Sequence, residues 1–99
     1  MILKKHISEM TDLTSPERTR LMNAVFATEA VLREVLAPDK INLASLGNVV
    51  PHQHWHVIPR YRDDRNFPDP IWAVGRRSPA ARAEPDIHRL ASALKHRLG

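Results

Sequence analysis

Residues 51–60 read Pro-His-Gln-His-Trp-His-Val-Ile-Pro-Arg, with histidine at every second position from His52 to His56. A period of two is that of a β-strand, whose successive side chains point to opposite faces. His52, His54 and His56 are therefore expected on one face, with Trp55 and Val57 turned the other way into a core. Neighbouring imidazoles on such a face stand about 6.6–7 Å apart at their backbones, close enough to serve one small ligand or metal ion together. A single strand histidine is most often a solvated or hydrogen-bonded residue. Three in strict alternation inside an apolar strand point instead to a site.

The rest of the chain limits what that site can be. Its 99 residues make one domain, of a size that buries about 60–65% of the surface exposed by its unfolded chain. With 42% hydrophobic and 26% charged residues the composition is that of a globular protein. There is no cysteine, which excludes a thiolate nucleophile, a disulfide and a cysteine-ligated zinc. No apolar run approaches the roughly 18 residues of a spanning helix, and the opening Met-Ile-Leu is too short for a signal peptide, so a cytoplasmic protein without a membrane partner is expected. The net charge of +4 comes entirely from the tail: residues 1–71 hold nine Lys or Arg against nine Asp or Glu, and residues 72–99 hold six against two. A basic face on a terminal helix is more often solvated than bound to nucleic acid, and nucleic acid is not an expected partner.

Taken in order, Met1-Ile2-Leu3 reads as the end of a strand, and residues 8–14 as a polar connection. Ser15-Pro16-Glu17 announces a helix through a capping hydroxyl, a proline where its missing N–H is not needed, and an acid at the positive end of the dipole. Leu21, Met22, Val25, Phe26, Val31, Leu32, Val35 and Leu36 give it a broad apolar face, and Ala37-Pro38 stops it. Residues 40–46 alternate as a strand, Gly47-Asn48 marks a turn, and the histidine strand follows as its antiparallel neighbour, which puts Asn42 on the histidine face. A proline-rich arm from Phe67 to Trp72 comes next, with Trp72 expected to pack on the sheet. Residues 76–83 are polar and expected to be mobile. Pro85 opens a final helix with Ile87, Leu90, Ala91, Leu94 and Leu98 as its stripe. The chain thus divides into a domain over residues 1–75 and a basic tail over 76–99. Two strands alone are marginal in water, so the sheet needs completing by Met1-Ile2-Leu3, by a second copy, or by residues preceding this chain.

Gly47-Asn48-Val49-Val50-Pro51-His52-Gln53-His54-Trp55-His56-Val57-Ile58 resembles the signature of the histidine triad (HIT) superfamily, in which His-x-His-x-His precedes two apolar residues. Leu3-Lys4-Lys5-His6-Ile7-Ser8 resembles the strand end before that family's long helix, and Asn42 stands about where the family has an asparagine upstream of the triad. The similarity covers roughly residues 2–73. It implies an α+β fold: a HIT-like antiparallel sheet with one long helix packed on it and a C-terminal helix, here with the N-terminal strands missing.

The resemblance also implies a homodimeric nucleotide hydrolase or transferase acting on a phosphoanhydride or phosphoramidate, without cofactor or metal. His54 would attack the α-phosphate and carry the nucleotide covalently before passing it to water. Imidazole suits the task, being neutral and nucleophilic near pH 7 with an ordinary pKa near about 6.5. The carbonyl of His52 would fix the tautomer of His54, and His56 would meet the phosphate or leaving-group oxygen. Asn48, Asn42 and the backbone at Val49 would hold the non-bridging oxygens. Two departures stand out. Gln53 occupies a position that is usually apolar and is expected either to loosen that face or to place an amide near a partner, and Val49 replaces a hydroxyl-bearing residue. Two other readings stay open: a metal site of alternating histidines, and a catalytically silent dimerisation module with exposed sheet edges. His6, His88 and His96 carry little functional weight, and Arg60 and Arg62 read as solvated.

Overall fold

The computed structural model describes residues 7–99. Their order is a 3-10 turn Met10–Asp12, helix α1 Ser15–Leu36, strand β1 Lys40–Ala44, strand β2 His56–Arg60 and helix α2 Ile87–Leu98. The proposed strand at Met1-Ile2-Leu3, and His6, lie outside the described residues.

Helix α1 starts one residue earlier than Ser15 alone suggests, because Thr14 is the cap. Its hydroxyl accepts from the Glu17 N–H at 3.3 Å, and the Glu17 carboxylate accepts from the Thr14 N–H at 2.9 Å. This reciprocal pair is a capping box, and it leaves Ser15 and Pro16 inside the first turn. The helix ends at Ala37, which turns left-handed at φ 46° immediately before Pro38. Leu21, Val25 and Val31 of α1 are buried together with Leu13 and Ile41, and these five form the core. Phe26, on the flank of the apolar face, is exposed.

Strands β1 and β2 run antiparallel, with Ile41 opposite Pro59, Asn42 opposite Ile58 and Ala44 opposite His56. Directly paired residues share a face, so Asn42, Ala44, His56 and Ile58 lie together, as the alternation predicts. The connection is not a tight turn: residues 45–55 separate the strands. Helix α1 packs on β2, and α2 packs on α1. An antiparallel pair carrying one long helix, with a terminal helix laid against that helix, is the α+β arrangement expected. Asp86 caps α2 by accepting from the Arg89 N–H at 3.1 Å. His88 and His96 are exposed on α2, in keeping with their solvated reading.

The arm between β2 and α2 departs from expectation. Residues 76–83 were expected to be mobile but are tied down by three arginines. Arg76 pairs with Asp69 at 2.7 Å, Arg77 donates to the carbonyl of Phe67 at 2.8 Å, and Arg82 pairs with Asp63 while its guanidinium lies 3.5 Å from the centre of the Tyr61 ring. Trp72, expected to pack on the sheet, is 59% exposed, along the rim of a cavity it lines with Lys40–Ala44. Phe67 is half-buried, beneath the guanidinium of Arg60 at 5.6 Å.

Candidate active site

The regular strand begins only at His56. His54 makes an isolated bridge outside that strand, and His52 lies in a bend. The three histidines therefore do not share one unbroken strand, a correction to the period-two reading. The bend follows from local bonding: the His52 N–H donates to the carbonyl of Val50 at 2.8 Å, closing a tight loop before the strand.

That bend brings the His52 carbonyl within 2.7 Å of His54 Nδ1. A carbonyl only accepts, so Nδ1 carries the proton and donates, and Nε2 keeps its lone pair. The rings of His54 and His56 meet edge to face, their centres 5.3 Å apart and their planes at 85°. His54 is half-buried and His56 exposed. This pair presents one lone pair fixed in position beside a second imidazole able to exchange protons.

Gly47 shapes the loop beside them. Its φ is +58°, and a Cβ there would stand 3.3 Å from the carbonyl oxygen of Val50 and 3.9 Å from Cε1 of His54. The left-handed backbone and the crowding together favour glycine. Gly47→Ala is expected to cost about 1–2 kcal/mol of backbone strain and to shift the loop against His54. Urea unfolding checks the first effect, and turnover normalised to folded protein checks the second. Asn48 and Val49 follow on the open side, with Val49 94% exposed. The Val49 side chain stands in solvent.

Asn42 is held from behind. Its Oδ1 accepts from Arg60 Nη1 at 2.7 Å, which leaves the amide NH2 as the group free to donate. Arg60 was expected to be solvated but is only 2% exposed. It bonds Asp64 through Nε at 2.8 Å and through Nη2 at 3.1 Å, and donates to the carbonyl of Asp69 at 2.7 Å. The guanidinium holds the Asp64 carboxyl well below the usual carboxylate range, with the N–H groups of Tyr61, Phe67 and Asn66 adding to the effect against the cost of burial. Arg62, in contrast, is exposed as expected. Sequence reasoning missed the Arg60 network because the stretch after β2 folds back on Arg60 while Asn42 reaches it from β1, and no periodicity links Asn42, Asp64 and Asp69.

Of the two expectations for Gln53, the loosened face is not what the structure has: the residue is 6% exposed and its amide is bonded at both ends. Among the described residues no group of three or more His, Cys, Asp or Glu is placed to hold a metal ion.

The HIT domain family model matches residues 1–63. The chain belongs to the HIT domain family. It is 28% identical over 78 residues to a bis(5'-nucleosyl)-tetraphosphatase (asymmetrical) of Schizosaccharomyces pombe, a match spanning 74% of this chain and 43% of that protein. It is 32% identical over 69 residues to an AP-4-A phosphorylase of Mycobacterium tuberculosis, spanning 64% of this chain and 35% of that protein. The chain thus spans less than half the length of either curated relative. Among solved structures, a histidine triad protein from Bradyrhizobium japonicum superimposes with a TM-score of 0.77 at 30% identity, over 99% of this chain and 72% of that one. A histidine triad protein from Sinorhizobium meliloti gives 0.68 at 30% identity, over 96% of this chain and 66% of that one. Among the described residues no helix is long and apolar enough to cross a membrane.

Proposed function

We propose that this chain cleaves a nucleotide phosphoanhydride or phosphoramidate at the α-phosphate, through a nucleotidyl intermediate on His54. The observation that carries the proposal is the 2.7 Å bond from His54 Nδ1 to the His52 carbonyl, which leaves Nε2 as the nucleophilic nitrogen. Nε2 attacks phosphorus, a P–N bond forms, and the bond from phosphorus to the leaving group breaks. His56, in edge-to-face contact with the attacking ring, supplies the leaving group with a proton or hydrogen bond. Water then attacks the same phosphorus, the P–N bond breaks, and His54 returns to its starting state. The loop backbone at Asn48 and Val49 and the amide NH2 of Asn42 hold the non-bridging oxygens, where charge grows in the transition state. The names of the two curated relatives favour a dinucleoside polyphosphate as substrate. The site works in a homodimer: among the described residues the sheet has only two strands, and an unpaired edge is a ready surface for a second copy.

The test is direct detection of the intermediate. The protein is incubated with an adenosine phosphoramidate or with diadenosine tetraphosphate, quenched at alkaline pH, and weighed intact. A mass increase of one nucleotidyl group on a histidine is expected. A folded protein that turns over neither compound and carries no adduct would replace this reading with that of a silent dimerisation module.

A further inference from the structure

The peptide joining His52 to Gln53 works in two directions. It is trans, since among the described residues the single cis bond is Phe67-Pro68. Its N–H and its C=O therefore point opposite ways. On one side the Gln53 N–H donates to the Ile7 carbonyl at 2.6 Å. On the other the His52 carbonyl accepts from His54 Nδ1 at 2.7 Å. Whatever fixes this peptide plane also fixes which nitrogen of His54 bears the proton.

The Gln53 side chain bonds residues on either side of that plane, Ser8 and Ser45. Its Nε2 donates to the Ser8 carbonyl at 3.0 Å, one residue beyond the Ile7 carbonyl that holds its main chain. Because that carbonyl only accepts, the amide can face it only with its nitrogen. Oε1 therefore faces Ser45 and accepts from its hydroxyl at 2.7 Å. The same hydroxyl lies 2.8 Å from the His54 carbonyl. Gln53 thus ties the segment before α1 to the end of β1, with the backbone of residues 52–54 caught between them. At 6% exposure, water offers little competition for these bonds.

We propose that Gln53 is a positioning residue for His54: its amide holds the 52–53 peptide plane, and through the His52 carbonyl it sets the tautomer of the attacking imidazole. The proposal rests on His54 being the nucleophile, but its readout does not. A glutamine that merely satisfies its own burial would contribute to stability and leave the imidazole alone.

The variant is Gln53→Met, which keeps the length of the side chain and removes both hydrogen bonds. Long-range 1H–15N correlation spectra report the tautomer of His54 directly. In the unmodified protein the Nδ1–H form is expected to predominate; in Gln53→Met a mixed population with Nε2–H is expected, with kcat lowered roughly tenfold and KM changed less than about twofold. A Gln53→Met protein that is less stable yet keeps the Nδ1–H form and its kcat would overturn the proposal. Should that variant not fold, Ser45→Ala removes only the hydroxyl, and the same tautomer shift is expected; its absence is equally fatal. An unmodified protein that holds the Nδ1–H form but forms no nucleotidyl adduct would instead sink the catalytic reading alone.

Discussion

His54→Ala is expected to abolish the nucleotidyl adduct and to lower kcat/KM by at least about 10³-fold, the scale on which loss of a covalent nucleophile is felt. His54 is half-buried, and the hydrogen bond its side chain makes is the one from Nδ1 to a main-chain carbonyl. Its own carbonyl, which takes the Ser45 hydroxyl, survives substitution, so the fold is expected to stay largely intact. His56→Ala should be milder, about 10²-fold, because a proton donor can be partly replaced by water. Intact mass after an alkaline quench and steady-state kinetics check both. An adduct that survives His54→Ala would move the nucleophile to another residue, and equal losses from the two variants would argue for a shared task such as ligating a metal.

Removing Asp64 should produce the largest loss of stability. Arg60 is almost wholly buried, and Asp64 is its charge partner through two hydrogen bonds. Asp64→Ala leaves the buried guanidinium without its hydrogen-bonded carboxylate, with Asn42, the Asp69 carbonyl and the Phe67 ring remaining, at an expected cost of about 2–4 kcal/mol in urea unfolding. The pH dependence has a definite sign. The folded carboxyl titrates well below its ordinary value near about 3.9, so the contribution of the pair is complete above that value and is lost as pH falls through the folded pKa. Stability should therefore decline below about pH 4, and the decline should be shallower in the variant. An unchanged acid limb in Asp64→Ala would show that other carboxylates control acid unfolding.

Wherever the controlling pattern is local, the sequence foretells the structure well. Pro16 and Glu17 mark the start of α1 to within a residue, and Pro38 marks its end. Alternation across residues 40–46 and along the histidine stretch predicts two strands, of which the structure keeps Lys40–Ala44 and His56–Arg60, and it puts Asn42 on the His56 face. The resemblance carried by Gly47 to Ile58 leads to the family. Legibility fails where partners meet by irregular chain folding. Arg60 ends a strand and looks like any solvated arginine until the stretch carrying Asp64 and Asp69 folds back over it and Asn42 meets it from β1. Gln53 looks like a misfit in an apolar strand until Ser8 and Ser45 arrive at either end of its amide. Period-two spacing likewise carries no sign of the bend at His52, which depends on one hydrogen bond to Val50.

The three arginines of the arm also change what the net charge means. All of the +4 lies beyond residue 71 when counted along the chain. In space, Arg76 and Arg82 lie against Asp69 and Asp63, which are counted with the neutral part of the sequence. With those two acids set against the tail, residues 1–71 keep nine basic against seven acidic side chains, and the tail keeps four basic ones against Glu84 and Asp86. The +4 is thus shared between the two parts of the sequence, and the field is not that of a basic tail on a neutral body.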